Sequence, residues 1–475
     1  MIPAGIISVL VVILIILVVC GLRRLPLSLN KFRTPFEQTL GDLVSPLHAS
    51  VGSLALTRLN RTGAEITIED VRLCSDTGFE WVHFGRITCV TPLRALLFPH
   101  RFSLDGPWLF SETSVDAVEP QPQFEALHGI ASMTGEALRF DVAGGSWGNI
   151  NVTRGTVVLN HPAKEGVHAD ISFQCNATAL DALQTVTTAP LDVIKATSLE
   201  SSGIEGTVEA DVQLAFHFDD LPHIEYSTRA HIRGLGLPSL FGGLDLGYGQ
   251  FDVAVSHASS TIEGTARLGG APSVVRYSKT TSSGPETWTI EMDDLGALHA
   301  IPARFTGGKL HATITRHDDE EPWLGRIDLR RLHIVHAPLL ARLLTMASLS
   351  GLLSTLTNDG LMIDHGHTEI SLETGLIRCS STRISIDQLE ITGDIEIQLE
   401  NGHIEGEGLL IPAATLQRLV GAVPVVGAFL DGLGLKNSAI VATRFTVSGP
   451  STAPEIIVFP LSSLAPEILK EIGLS

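Results

Sequence analysis

The residues best suited to chemistry fall in two short stretches. "HDDEEP", His317 to Pro322, gathers four carboxylates beside an imidazole, a set able to hold a divalent cation through oxygen ligands. Charged turns of this composition are common, so the stretch reads as a solvated hairpin tip. "DHGH" places His365 and His367 two residues apart, on one face of a strand, as metal ligands sometimes are. No third ligand at a telling distance accompanies them, and a tetrahedral site needs four. Ser, His and Asp are plentiful, yet there is no GxSxG elbow, no HExxH helix and no phosphate-binding loop. We expect no catalytic residues, no metal and no cofactor.

Five cysteines stand at Cys20, Cys74, Cys89, Cys175 and Cys379, with no CxxC and no histidine at zinc spacing. Cys74 and Cys89 are placed to face each other across a hairpin and form a disulfide in an oxidising compartment. Two free thiols fit the spacing equally well.

The elements around these residues are strands. "VEADVQLAFHF" puts Val208, Ala210, Val212, Leu214, Phe216 and Phe218 on one side and Glu209, Asp211, Gln213 and His217 on the other. That period of two is a half-buried strand. It returns in "LDLGYGQFDVAVS" through Leu244, Leu246, Phe251, Val253 and Val255, and again through Ile384, Ile386, Leu389, Ile391, Ile395, Ile397 and Leu399. Turn signals such as "SSG", "TGD" and "ENG" separate the runs. Strands with one apolar face joined by short turns imply an antiparallel meander, because parallel units need a helix between strands. The fold class expected is mainly β.

Helical periods interrupt this pattern in three places. Phe36, Leu40, Leu43, Val44 and Leu47 predict a short amphipathic helix. In "HAPLLARLLTMASLSGLLSTLTNDG", Pro338 suits a first turn, Leu349, Leu352, Leu353 and Leu356 repeat at helical spacing, and Asn358 to Gly360 supply the stop. In "GAVPVVGAFLDGLG" and the residues before it, Leu416, Leu419, Val420 and Val423 form a stripe that Val426, Phe429, Leu430 and Leu433 continue beyond a kink at Pro424. The last two segments, 338–357 and 413–433, are expected to cap the end of the sheet, either plugging its core or, in a functional role, closing or gating its open mouth or touching a membrane. Leu343, Leu344, Leu349, Leu352, Leu353, Leu356, Leu416, Leu419, Val423, Val426, Phe429 and Leu430 are the candidate contacts.

With 44% hydrophobic and 18% charged residues, the 475-residue chain is not disordered. A net charge of -20 argues against a phosphate backbone as partner, so nucleic acid is set aside. Residues 1–22, "MIPAGIISVLVVILIILVVCGL", carry no charge and are long enough to span a bilayer, and neither a basic n-region nor a small-residue cleavage site is present. They read as an anchor. Arg23 and Arg24 follow it, and by the positive-inside rule alone they favour a cytoplasmic body.

A one-sided sheet must cover its apolar face. It can close as a barrel, pack on a second sheet, borrow helices or bury lipid. At this point the residues resemble a known family. "IDLRRLHIVHAPLLARLLTMASLSGLL", "GLMIDHGHTEISLETGLIRCSS", "ITGDIEIQLENGHIEGEGLLIPAATLQRLVGAVPVVGAFLDGLG" and "FTVSGPSTAPEIIVFPLSSLAPEILKEI" resemble, in that order, the C-terminal region of YhdP-type members of the AsmA-like superfamily. "PLSLNKFRTPFEQTL", "LDGPWLF", "GIEGTVEADVQLAF" and "LGYGQFDVAVSHASSTIEGTARLGGAP" are also similar to that group. The resemblance implies an elongated, taco-like antiparallel β-groove. A single-pass anchor would sit in the bacterial inner membrane, with the bulk of the chain in the periplasm. It divides the chain into an anchor at 1–22, a juxtamembrane linker and amphipathic helix at 23–50, a groove body at 51–324, and an AsmA-like C-terminal region with capping helices at 325–475. About 25 to 30 strands at 4.8 Å spacing are expected. The function implied is non-enzymatic phospholipid transport in outer-membrane biogenesis, with acyl chains as the ligand. The alternative is an anchored scaffold that carries no lipid and tunes assembly of outer-membrane or envelope proteins.

Overall fold

The computed structural model describes residues 26–43, 47–59, 63–75, 78–91, 107–116, 123–134, 137–160, 168–186, 203–217, 224–241, 244–280, 284–298, 304–318, 321–336, 340–341, 344–345, 360–386, 389–399, 401–412, 442–450 and 454–461. The chain is mainly β: 23 strands form one open antiparallel sheet. The chain divides into two compact units, one built from 1–199 with 207–231, the other from 200–206 with 232–475.

The first unit holds β1 (Leu27–Ser28), β2 (His48–Leu59), β3 (Ala64–Cys74), β4 (Glu80–Thr91), β5 (Trp108–Val115), β6 (Phe124–Thr134), β7 (Ala137–Trp147), β8 (Ile150–Asn160) and β9 (His168–Thr178), with helices α1 (Arg33–Leu43) and α2 (Ala179–Val186). Strands β10 (Glu205–His217) and β11 (Glu225–Phe241) divide between the units. Each of β1 to β9 pairs antiparallel with the next strand in sequence. The predicted amphipathic helix is α1: Phe36 and Leu40 are buried against the sheet, and the Glu37 carboxylate accepts the Val51 N–H at 2.8 Å, pinning the helix to β2. Val51, Ala64, Ile66 and Val71 are completely enclosed, so this stretch of sheet is dry. Phe84, Phe110 and Phe140 add edge and stacked ring contacts at 5.9 to 6.2 Å.

The second unit holds β12 (Leu244–Ser256), β13 (Ser259–Leu268), β14 (Ala271–Thr280), β15 (Glu286–Met292), β16 (Arg304–Arg316), β17 (Trp323–His336), β18 (Leu361–Glu373), β19 (Leu376–Ile386), β20 (Leu389–Gln398), β21 (His403–Pro412), β22 (Ala442–Pro450) and β23 (Glu455–Leu461). All pair antiparallel with their sequence neighbours. Among the described residues there are 23 strands, most of them ten residues or longer.

Strict alternation leaves half of every strand apolar, and strand parity then sorts the connections of this unit onto two rims. Those after even-numbered strands, such as 257–258, 281–285, 317–322 and 374–375, are short. Those after odd-numbered strands include 293–303, 337–360 and 413–441. At this second rim Ala271, Leu361, Ile386, Leu389 and Leu410 are almost wholly buried, together with Leu295 and Leu344 from the long connections. The hydrophobic cover therefore lies at one rim only.

Bulges break the pleat at intervals. Asp70, Glu112, Ala126, Tyr248, Arg331 and Ser381 have φ between 51° and 56° inside strands, a conformation that costs a side-chain-bearing residue about 1–2 kcal/mol. Bulges bend and twist the strand that carries them. Gly85 makes room for one: a Cβ there would stand 2.7 Å from the Glu112 Cβ. Among the described residues no helix is long and apolar enough to cross a membrane; residues 1–22 lie outside them.

Candidate functional site

Across the second unit an apolar band is left half-exposed. Val253 pairs with Ile262, Ile262 with Tyr277, Tyr277 with Trp288 and Trp288 with Ile314, a row across β12 to β16. One row nearer the covered rim, Ile290 faces Ala312, which faces Ile327 on β17. All of these are intermediate in exposure, whereas Leu268, Ala271, Met292 and Leu332, nearer the covered rim, are buried. The Tyr277 and Trp288 rings meet at 4.7 Å, giving the row two amphipathic aromatics. Burial thus falls along the strands, from the rim with long connections to the rim with tight turns.

At the tight-turn rim the band ends in charge. Lys279, two residues beyond Tyr277, lies opposite Glu286, two residues before Trp288. Arg316, two beyond Ile314, lies opposite Glu286. Period-two alternation places all three on the apolar face. The Lys279 ammonium donates to Glu286 at 2.5 Å and the Arg316 guanidinium to the other carboxylate oxygen at 3.1 Å. Arg316 also stacks over Trp323, 4.6 Å from the ring centroid. The carboxylate side chain is only 14% exposed and the cations 28% and 22%, so this is a partly desolvated cluster of ion pairs. The corresponding positions further along the sheet are Leu372, Ile377, Ile397 and Ile404.

The opposite face is laced with ordinary surface ion pairs. Arg276 bridges Glu263 and Glu291, Arg378 bridges Glu373 and Glu396, and Arg444 meets Glu407. Exposed pairs of this kind contribute little each. The Arg72 hydrogen bond holds the Asp70 carboxyl below its usual range, and Arg139 does the same for Asp141.

Of the twelve candidate cap residues, Leu344 is described, and it is fully buried in the core of the second unit. Leu343, Leu349, Leu352, Leu353, Leu356, Leu416, Leu419, Val423, Val426, Phe429 and Leu430 lie outside the described residues. His317, Asp318 and Glu321 sit in the exposed turn between β16 and β17, where the Glu321 N–H donates to the Asp318 carbonyl. His365 and His367 share one face of β18, with His367 Nδ1 3.4 Å from Asp328 on the neighbouring strand. Among the described residues no group of three or more His, Cys, Asp or Glu is placed to hold a metal ion.

One open alternative is decided and one expectation needs correcting. Cys74 and Cys89 do share the β3–β4 hairpin, yet Cys74 pairs with Glu80 and Cys89 with Ile66, at opposite ends of the ladder. Eight positions of strand, about 27 Å, separate the two places, far beyond disulfide reach. Both thiols are free, and burial pushes Cys89 up to about 12 and Cys175 to about 11. Leu399, expected with the apolar set, is exposed in the turn after β20, where its N–H donates to the Gly375 carbonyl.

No family model matches the chain, and neither a curated protein nor a solved structure matches it.

Proposed function

We propose that this protein binds phospholipid acyl chains on its apolar sheet face and transfers them within a bacterial envelope, contributing to outer-membrane biogenesis without catalysing a reaction. In this reading the sheet curls into an elongated groove. Residues 1–22 hold it in the inner membrane, the bulk of the chain occupies the periplasm, and the segments at 338–357 and 413–433 close one end. The sequence resemblance and one structural observation support it. That observation is the half-exposed apolar band across β12 to β17, on a sheet whose residues at the covered rim, around Leu361, are dry. Apolar surface left accessible on adjacent strands is an unsatisfied demand for a nonpolar partner. An acyl chain supplies it at roughly 0.8 kcal/mol per CH₂ withdrawn from water.

Site-specific photo-crosslinking in cells tests this. A photoreactive residue at Ile314, inside the band, should capture phospholipid, while one at Leu324, exposed on the opposite face of the next strand, should not. Equal capture at both sites, or none at Ile314, refutes lipid carriage. Capture of an envelope protein at Ile314 in place of lipid supports the scaffold alternative.

A further inference from the structure

We propose that Val90, Leu109 and Ile130, on the outward face of β4 to β6, form a docking surface for the lipid bilayer. The inference rests on one clause of the reading above, that residues 1–22 anchor the chain in a membrane, and adds where the body of the first unit meets that membrane.

Leu109 lies opposite Thr88 on one side and Ile130 on the other, and Val90 follows Thr88 by two residues. Period-two alternation puts all three on the face away from the buried Cys89, Trp108 and Ala131. They are 51%, 57% and 45% exposed, three large aliphatic side chains on adjacent strands. Next to them the same face carries the hydroxyls of Thr67, Thr88 and Ser111. Further from the strand ends it turns ionic, with Arg86 3.6 Å from Glu69 and Arg72 2.9 Å from Asp70. Asp141, opposite Ile130, is held by Arg139 at 2.8 Å. An apolar patch that gives way to polar groups on one side marks a contact surface.

The occupant follows from where the chain is tethered. Leu27 lies opposite Leu56, Leu56 opposite Ile66, Ile66 opposite Cys89 and Cys89 opposite Trp108, one row across β1 to β5. Leu109 and Val90 each neighbour that row, so the patch begins four strand spacings, about 19 Å, from Leu27. Strand β2 ends at Leu59, and β1 runs antiparallel to it, so the chain enters β1 from the rim where β2 and β4 end. Val90 stands one residue from that rim. From Leu22, where the apolar run stops, to Leu27 the chain reaches at most about 18 Å. The tether thus brings this rim, and no distant part of the unit, to the membrane. Charge agrees: the connections beside the patch, 60–63 and 92–107, hold Arg61, Arg94 and Arg101 against one acid, Asp105, in a chain of net charge -20. Basic residues beside an apolar surface suit anionic headgroups. Docked this way, the strand ends of β4 to β6 sit at headgroup depth, and the unit stands on the membrane instead of hanging from its tether.

The test uses the full chain inserted through its anchor in nanodiscs of phosphatidylethanolamine and phosphatidylglycerol, with a photoreactive residue at Leu109 or, as control, at Glu125. Glu125 is exposed near the start of β6, about 17 Å along the strand from Ile130 and beyond the depth of an interfacial contact. Leu109 should capture phospholipid about tenfold more than Glu125. Ile130→Glu, at an exposed position that leaves the fold intact, sets a carboxylate in the contact and should lower capture at Leu109 about tenfold. Chain retained in the nanodiscs with no lipid at Leu109, equal capture at both positions, or capture unmoved by Ile130→Glu overturns the docking surface and leaves the anchor standing. Crosslinks from Leu109 to a second copy or to another segment of this chain in place of lipid do the same. Failure of the chain to stay in the nanodiscs overturns both.

Discussion

Leu344→Ala is expected to loosen the covered rim of the second unit. Leu344 is completely enclosed, within a cluster that includes Leu332, Ile334, Leu361 and Ile363 at the facing ends of β17 and β18. Truncation removes three carbons, about 2.4 kcal/mol of transfer free energy at 0.8 per CH₂. The cavity left behind brings the expected loss to about 3–4 kcal/mol, within the range measured for enclosed leucines. In a protein with two compact units this loss need not appear in one global transition, so local opening is the proper readout. Hydrogen exchange followed by mass spectrometry on peptides from β17 and β18 should accelerate by about two to three orders of magnitude, at 1.4 kcal/mol per decade. Leu324→Ala serves as control: that side chain is on β17 but 54% exposed, and its removal should change exchange less than threefold. If both variants exchange alike, Leu344 does not anchor the connection and the one-rim cover is wrong.

Other outcomes follow from residues already described. Gly264→Ala should destabilise by about 2–3 kcal/mol in urea titration, since its Cβ would stand 2.1 Å from the Gln250 carbonyl oxygen. Gly41→Ala, in α1 with nothing within 4 Å of the new methyl, should instead stabilise by about 0.5–1 kcal/mol. The Cys89 thiol, held near 12 in the fold against 9.0 for a free thiol, favours the folded state fully below pH 9 and loses that contribution as pH rises toward 12. Iodoacetamide at pH 8.5 should therefore label Cys74 well before Cys89, and Cys89→Ala should flatten the alkaline limb of the stability profile. For Asp70, held low by Arg72, the contribution is present above the ordinary carboxylate range and disappears as pH falls through the lowered value. Asp70→Asn should remove that acid dependence while tolerating φ of 56°.

Much of the fold is legible in alternation. The β10 run from Val208 to Leu214 and the Phe36–Leu40 stripe of α1 stand where their periods place them. Bulges are harder to read, because a left-handed residue such as Tyr248 or Arg331 has no local signature when it is not glycine. Parity nonetheless carries a trace of one. The apolar set of β12 passes from even-numbered Leu246 to odd-numbered Phe251, and the register shifts between Gly247 and Gln250. Helix α2 went unread although "TALD" supplies its cap: Thr178 Oγ1 accepts the Asp181 N–H and donates to the Asp181 carboxylate. The charged trio was missed for a different reason. Lys279, Glu286 and Arg316 lie on three strands, and each resembles an ordinary strand end until register brings them opposite one another. The signal was present as charge in the inward phase, in "VVRYSKT", "ETWTIEM" and "LHATITR".

The pairing of strand after strand with its successor inside each unit has a kinetic and an evolutionary side. Most contacts are local in sequence, so a chain emerging N-terminus first can zip β2 to β3, then β4, with little loop-closure entropy at each addition. The same bookkeeping lets a hairpin be duplicated or deleted without altering which face any other residue occupies, since two strands restore the original direction. Length in such a protein is a modular variable, adjustable in steps of about 10 Å.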